Sequence, residues 1–246
     1  MGLYVGTSGW AYPEWRGAFY PARLPQSGFL SFYAGELRAC EVNATFYRLQ
    51  GAAALERWAA AVPDSFRFAV KAHRRLTYRR GLSPDAATAA FARDFVASLA
   101  PLGGKLGCLL VQVPEFVERD DAALLELLDL MPGEQPFACE LQHASWDAPE
   151  VATLLAERGG TVCLREEDGA VPPSLPPGPV AYVRLKGRYV EEARAALRDL
   201  LEREAAERDV YVFARHKDVP PDDPHTGLGL AQWLNGRSDR QGVNGS

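Results

Sequence analysis

The sequence lacks several features that would assign a chain of 246 residues to a common functional class. It has four cysteines, and the closest pair, Cys139 and Cys163, is 24 residues apart, so there is no CxxC pair for zinc or redox chemistry. No run approaches the roughly 20 apolar residues of a transmembrane helix. The first residues carry no basic segment before an apolar one, so we expect no signal peptide there. We therefore expect a cytoplasmic protein that contacts no membrane and whose cysteines are buried and reduced.

Basic residues are not in surplus either. The chain has 27 Lys and Arg against 32 Asp and Glu, a net charge of −5, which argues against a general nucleic-acid-binding protein. Hydrophobic residues make up 47% and charged residues 24%, which excludes an intrinsically disordered chain. A Gly-x-Ser-x-Gly elbow is missing, so a hydrolase with a catalytic triad has no support. The glycines near the start, Gly6 and Gly9, do not form a phosphate-binding loop.

Short apolar runs alternate with helical patterns along most of the chain. Eight runs are typical of strands: residues 3–7, 40–45, 66–72, 108–113, 137–141, 161–165, 180–185 and 210–214. Helical patterns occupy residues 29–38, 52–61, 84–99, 121–131, 149–158, 190–208 and 227–235. Ser83 is the predicted N-cap of the third helix, with Pro84 at its first position. Residues 169–179 contain five prolines, so we expect an extended loop in place of a sixth helix.

This order of elements predicts a (β/α)8 TIM-like barrel, because eight strands alternating with helices fit its typical length of roughly 250 residues. An open doubly wound sheet is the alternative, but the first strand is not followed by a dinucleotide-binding glycine motif. We expect one domain over residues 1–235, followed by a polar, disordered tail at residues 236–246.

Alternation along the strands predicts which side chains face the barrel axis. In the fifth run the axis-facing set is Ala138, Glu140 and Gln142, while the other set is apolar. Four cations and two carboxylates face the axis in the predicted barrel, so its mouth is positive and suits an anionic ligand such as a phosphate or carboxylate. A self-satisfied network of ion pairs across the barrel is the structural alternative. The axis-facing polar residues lie toward the strand ends, where barrel active sites are found: Glu41, Asn43, Thr45, Lys71, Gln112, Glu140, Tyr182, Arg184, Lys186 and Arg215.

Six motifs spread over most of the chain carry a family resemblance. They are segments 6–12, 41–47, 68–72, 111–114, 140–146 and 182–185, which read GTSGWAY, EVNATFY, FAVKA, VQVP, ELQHASW and YVRL. In this order they resemble the domain of unknown function 72 (YecE-like) family. The resemblance implies a TIM-like barrel with a polar pocket at the strand ends, and it implies no established activity.

The chain departs from the pattern of that family at pocket positions. Ala44 stands where the family usually has Ser, Gln142 where it has Arg, and Lys186 where it has His. The last strand ends in Ala-Arg-His at residues 214–216 where the family is often rich in Asn. We therefore expect the pocket chemistry of this chain to differ from that of its relatives.

Three residues are candidates for catalysis. Glu140 and His143 end the fifth strand and could exchange protons as general acid and base. Lys71 ends the third strand, and in a dry pocket it could form a Schiff base or remain charged and anchor a phosphate. The structural alternatives are an ion pair of Glu140 with Arg184 or Lys71, a helix cap by His143, and an ion pair of Lys71 with Glu41.

The remaining candidates are predicted to bind the substrate. Cationic members would hold its anionic group, amide members would orient it, and aromatic members would form a wall beside it. The predicted set is Trp10, Glu41, Asn43, Tyr47, Gln112, Trp146, Arg184, Lys186 and Arg215.

We predict a metal-independent enzyme that acts on a small anionic metabolite, as a lyase, isomerase or hydrolase of a phosphorylated molecule. Glu41, Glu140 and His143 could ligate a divalent metal, but the nearby cations oppose it, so we expect no metal and no cofactor. One alternative is a nucleic-acid or nucleotide-binding protein that uses the basic segment from Arg74 to Arg80. Another is a barrel that binds a ligand without chemistry, since barrels host many unrelated activities.

Overall fold

The computed structural model describes residues 1–131, 135–215 and 219–236, and its strands close into a barrel. Every neighbouring pair of strands is parallel, and β8 pairs with β1 to close the sheet. The predicted (β/α)8 barrel is therefore confirmed. The strands are β1 (Leu3–Thr7), β2 (Ala39–Val42), β3 (Arg67–Lys71), β4 (Leu106–Val113), β5 (Phe137–Leu141), β6 (Gly160–Glu166), β7 (Val180–Leu185) and β8 (Asp209–Ala214).

Helices follow every strand except β6. The described residues contain α1 (Phe29–Glu36), α2 (Ala52–Ala60), α3 (Ala86–Ser98), α4 (Asp121–Asp129), α5 (Pro149–Glu157), α6 (Glu191–Glu207) and α7 (Gly227–Leu234). Between β6 and β7, residues 167–179 form a loop without a helix, as the five prolines predict. The third helix begins later than predicted. Its N-cap is Asp85 rather than Ser83, because the Asp85 carboxylate accepts a hydrogen bond from the Thr88 backbone at 2.7 Å.

Side chains of the strands pack into two hydrophobic clusters, one on each side of the sheet. The outer cluster joins strands to helices and includes Val111, Cys139 and Val183. The inner cluster fills the barrel axis and contains Ala39, Ala69, Cys108, Leu110, Ala138, Cys163, Val180, Tyr182, Tyr211 and Phe213. Six of the predicted axis-facing residues lie two positions beyond an inner-cluster residue, as the alternation predicts: Glu41, Lys71, Gln112, Glu140, Arg184 and Arg215. The apolar part of the axis thus forms a floor below the polar strand ends.

Close contact between β1 and β2 places two site residues together. Gly6 allows this approach, since a Cβ atom there would lie 1.8 Å from the Ala39 carbonyl oxygen. The buried Tyr33 hydroxyl donates to that carbonyl at 2.9 Å and accepts from the Thr7 backbone N–H at 2.8 Å. As a result, the residues that follow β1 lie beside Glu41 at the barrel mouth.

The second strand is shorter than predicted. It ends at Val42 rather than Thr45, because Ala44–Phe46 form a 3-10 turn. The Thr45 hydroxyl lies 2.9 Å from the Val42 carbonyl oxygen and 2.7 Å from that of Lys71. Thr45 therefore ties this turn to the end of β3 instead of extending the strand.

The proline-rich loop after β6 is anchored by Glu166. Its carboxylate accepts hydrogen bonds from the backbone N–H groups of Asp168 at 2.7 Å and Ala170 at 2.9 Å, and from the Tyr189 hydroxyl. One buried side chain thus holds the loop against the segment that leads into α6.

Apart from Gly236, the tail predicted at residues 236–246 lies outside the described residues. Within the described part, no helix combines the length and the apolar character needed to cross a bilayer.

Candidate functional site

The C-terminal ends of the strands surround a cavity of about 980 Å³, which we call the mouth cavity. This volume is in the range of small-molecule sites, and its position is that of barrel active sites. Its polar lining includes Ser8, Asn43, Lys71, Gln112, Glu140, Gln142, Arg184, Lys186 and Arg215. The fold therefore brings most of the predicted site residues together.

Arg184 connects the two buried carboxylates of this site. Its Nη2 atom lies 3.0 Å from Glu41 Oε1, and its Nη1 atom lies 2.7 Å from Glu140 Oε2. Burial by itself disfavours the charge on Arg184, but the two carboxylates outweigh it and raise the pKa of the guanidinium. The ion pair of Glu140 with Arg184 that the sequence left as an alternative is thus present.

Glu41 is fully buried and accepts four hydrogen bonds. Oε1 accepts from Ser8 Oγ at 2.9 Å, Asn43 Nδ2 at 3.1 Å and Arg184, while Oε2 accepts from the Tyr182 hydroxyl at 2.8 Å. Burial alone would raise the pKa of Glu41, but Arg184 and the two hydroxyls outweigh it, so this pKa lies below its usual value. Glu41 is therefore an ionised structural anchor of the site.

Glu140 is 1% exposed, and within the described residues only one of its two carboxylate oxygens accepts a hydrogen bond. Oε2 accepts hydrogen bonds from Gln112 Nε2 and from Arg184, each at 2.7 Å. Gln112 in turn accepts from the Tyr78 hydroxyl at 2.8 Å, which fixes the orientation of its amide. Glu140 Oε1 is buried and forms no hydrogen bond with any described residue. A buried acceptor without a hydrogen bond costs free energy, so a hydrogen-bond donor on a bound molecule would stabilise the complex.

Lys71 lies in the same cavity and is 8% exposed. Its Nζ atom stands 4.2 Å from the centre of the Phe46 ring. Burial lowers the pKa of Lys71 below its usual value, and Arg184 lowers it further, although Glu41 and Glu140 act in the opposite direction. The ion pair of Lys71 with Glu41 considered above is absent from the ion pairs of the described residues, none of which involves Lys71.

The two other cations at the mouth differ in their surroundings. Lys186 Nζ lies 2.6 Å from Glu167 Oε1, and this ion pair lowers the pKa of Glu167. The exposed Arg215 forms no ion pair within the part of the chain that the structure describes. Glu14 lines the cavity and Glu167 follows β6, and neither contributed to the positive mouth that the sequence predicts. Together with Glu41 and Glu140 they balance the four cations, so within the described residues the predicted positive surplus is absent. Within the described residues, Lys71 and Arg215 are the cations lining the mouth cavity that form no ion pair and remain available to a ligand anion.

His143 lies outside the mouth cavity. Its Nδ1 atom accepts from the Ser145 backbone N–H at 3.1 Å and contacts the Ser145 hydroxyl at 2.8 Å, so it caps the 3-10 turn Ala144–Trp146. His73 caps the turn Arg74–Leu76 after β3 in the same way. The geometry matches the alternative role considered for His143, and we do not include it in the proposed proton transfer.

The three predicted aromatic residues occupy different places. Trp146 is buried and donates from Nε1 to the Val117 carbonyl at 3.1 Å, so it belongs to the core. Tyr47 is 68% exposed and packs edge-on against Phe46 outside the cavity lining. Trp10 lines a smaller cavity next to the mouth cavity. A single aromatic wall around the ligand is therefore not formed by this set.

Four other side chains contribute to the site although they were not among the predicted site residues, and of these four only Tyr182 was predicted to face the barrel axis. Ser8 and Tyr182 hold Glu41, Tyr78 holds Gln112, and Glu167 holds Lys186. Among the described residues, no three His, Cys, Asp or Glu side chains are placed to hold a metal ion.

Comparison with known proteins identifies the family. The family model described as "Protein of unknown function DUF72" matches residues 4–243. The chain belongs to the DUF72 family. The resemblance drawn from the sequence motifs is thus confirmed, and the family description assigns no activity.

Curated relatives of this DUF72 chain are the UPF0759 proteins. YunF of Bacillus subtilis is 29% identical over 152 residues, which are 60% of this chain and 53% of YunF. YecE of Escherichia coli is 29% identical over 160 residues, which are 64% of this chain and 54% of YecE. The aligned part spans about half the length of the curated relatives.

Solved DUF72 structures share the fold. A protein from Thermotoga maritima superposes with a TM-score of 0.74 at 23% identity, covering 98% of this chain and 100% of that chain. A protein from Enterococcus faecalis gives 0.70 at 18% identity, covering 99% and 98%. At these identities the comparison concerns the fold alone.

Proposed function

We propose that the mouth cavity binds a small metabolite carrying a phosphate or carboxylate and catalyses proton transfer on it. One observation carries this proposal. Lys71 and Arg215 line the cavity without ion pairs among the described residues, beside Glu140, whose Oε1 lacks a hydrogen-bond partner. An anion and a hydrogen-bond donor on one molecule would complement both features.

Binding of the anion is assigned to Lys71 and Arg215. The Arg184 guanidinium already serves two carboxylates, so its role is to position Glu41 and Glu140. Asn43 donates to Glu41 and Gln112 donates to Glu140, and both amides also line the cavity. They would orient the uncharged part of the substrate.

Proton transfer is assigned to Glu140 and Lys71. Gln112 and Arg184 hold Oε2 of Glu140, so Oε1 is the oxygen that would accept a proton from the substrate. The lowered pKa of Lys71 makes its ammonium a better proton donor at neutral pH. An isomerisation or an elimination needs such a base and acid on one substrate, so among the reaction classes considered we favour an isomerase or a lyase.

We propose that the reaction is metal-independent. Lys71, Arg184 and Arg215 would repel a divalent cation from the carboxylates of the mouth. We also propose a cytoplasmic location, supported by four free, buried cysteines that an oxidising compartment would not require.

The nucleic-acid alternative has weaker support. Arg74 lies over the Tyr78 ring, Arg75 lies over Phe91, and Arg79 donates to two backbone carbonyls of its own loop. Three arginines of the basic segment thus have internal contacts that phosphate binding would have to replace. We therefore retain the small anion as the proposed ligand.

The experiment is an activity screen with a matched variant. The protein is incubated with a mixture of phosphorylated and carboxylated metabolites, and mass spectrometry follows consumption and product formation. We expect one compound to be converted by the wild-type protein, and its turnover to fall at least about a hundredfold in Glu140→Gln while its binding remains. Binding without turnover by the wild-type protein would instead identify a non-catalytic ligand-binding barrel.

A further inference from the structure

A second, smaller cavity adjoins the mouth cavity. It has a volume of about 230 Å³, and we call it the side cavity. Ser8, Tyr12 and Asn43 line both cavities. The two spaces therefore meet at the ends of β1 and β2, within reach of one bound molecule.

The walls of the side cavity beyond this junction are apolar. Trp10, Trp58, Val42 and Ala44 form them. The rings of Trp10 and Trp58 meet edge to face with centroids 5.0 Å apart, and the fully buried Phe68 stands 6.2 Å from Trp10 and 6.4 Å from Trp58. Two tryptophans supported by a core phenylalanine make a preformed wall, because neither ring has to be ordered when a ligand enters.

We infer that the side cavity receives an aromatic or branched aliphatic group of the same molecule whose anion is held at Lys71 and Arg215. This inference rests on the proposed function and narrows its substrate class to an anion that carries an apolar ring or branch. The size is adequate, since a dry apolar cavity of about 150 Å³ binds benzene. The edge-to-face tryptophans also leave ring faces and edges for a further aromatic contact.

Polar groups line the place where the two cavities meet, and they indicate which chemical group would link the anion of the ligand to its apolar part. Ser8 Oγ and Asn43 Nδ2 both donate to Glu41, and the Tyr12 hydroxyl donates to the Ser8 carbonyl at 2.7 Å. These three residues line both cavities, so polar groups stand at the boundary between polar and apolar space. A linking hydroxyl, ether or amide oxygen suits this boundary better than a plain hydrocarbon chain.

Three probes separate the side cavity from the anion site. Methyl phosphate tests the anion alone, phenyl phosphate tests the anion with a ring, and phenol tests the ring alone. Their dissociation constants are measured by isothermal titration calorimetry. We expect phenyl phosphate to bind at least about tenfold more tightly than methyl phosphate, because even one methylene in an apolar pocket contributes about that much.

A substitution that fills the side cavity gives the most informative variant. Ala44 is exposed and lines the side cavity but not the mouth cavity, so Ala44→Leu should place extra carbons in it without disturbing the core. In this variant the phenyl-to-methyl preference should fall to about twofold or less. Ala53→Leu, an equal change at an exposed position of α2 that lines neither cavity, should keep the preference.

Each outcome has a distinct meaning. Equal affinity of the two phosphates for the wild-type protein, or a preference that survives Ala44→Leu, would overturn the side-cavity inference and leave the proposed function standing. If neither phosphate binds, the proposed function fails for phosphate-bearing metabolites. In that case, phenol binding that is lost in Ala44→Leu would still support an apolar subsite, and absence of phenol binding would overturn that as well.

Discussion

Arg184 Nη2 lies 3.0 Å from Glu41 Oε1 and thereby joins β7 to β2 across the barrel mouth. The other terminal nitrogen of the same guanidinium binds Glu140 on β5. One cation thus holds carboxylates from two other strands in a region where both are almost fully buried. Because a buried charge is costly without a partner, this arrangement fixes the shape of the site before any ligand binds.

The first prediction concerns the removal of that cation. Arg184→Ala leaves Glu41 and Glu140 buried without their shared partner, so the free energy of unfolding at pH 7 should fall by about 3–5 kcal/mol. Urea titration followed by circular dichroism measures this change. The comparison variant is Lys186→Ala, which breaks a partly exposed ion pair with Glu167 and should cost less than about 1 kcal/mol. Similar losses in the two variants would contradict the role assigned to Arg184.

The second prediction concerns acid sensitivity. The pKa of Glu41 in the folded protein lies below its usual value of 4.5, so its ionised form stabilises the fold above that value. This stabilisation is lost as the pH falls through the folded pKa. Glu41→Gln should therefore flatten the decline of unfolding free energy below about pH 4.5, while Tyr182→Phe, which removes one donor to Glu41, should flatten it less. Urea midpoints between pH 3 and pH 7 test this, and parallel curves for all three proteins would refute it.

The third prediction separates folding from binding at Lys71. Its pKa is lowered in the folded protein, so the unfolded chain binds this proton more tightly and the charged amine costs stability at neutral pH. That cost is relieved as the pH rises through the folded pKa. Lys71→Met keeps much of the side-chain volume without the charge, and we expect its unfolding free energy at pH 7 to equal or exceed that of the wild-type protein. A loss of more than about 1 kcal/mol would mean that the ammonium holds the mouth together instead.

Period-two alternation made the direction of the site residues predictable from sequence. In β5 the apolar positions Cys139 and Leu141 can only be buried against helices if Glu140 points to the axis. The eight-strand count then brings the ends of β2, β3, β5 and β7 to one mouth. For this reason the sequence alone predicts that Glu41, Lys71, Glu140 and Arg184 lie together.

The strand alternation does not predict which side chains from loops and helices reach the site. Glu167 follows β6, and nothing local indicates that its carboxylate reaches Lys186 on the next strand. Trp58 lies on α2, and nothing in the local sequence indicates that its ring meets Trp10 from the segment after β1. His143 was predicted from its place after a strand, but its ring satisfies the start of a short turn.

The most direct measurement is a thermal-shift screen of phosphorylated and carboxylated metabolites on three proteins: wild type, Lys71→Met and Arg215→Ala. At 100 times its dissociation constant, a ligand stabilises by about 2.7 kcal/mol, which corresponds to a rise in Tm of about 5–10 °C for a chain of this size. We predict such a rise for at least one anionic metabolite with the wild-type protein, and its loss in both variants. An absence of any shift, or an equal shift in all three proteins, would contradict an anion site at the barrel mouth.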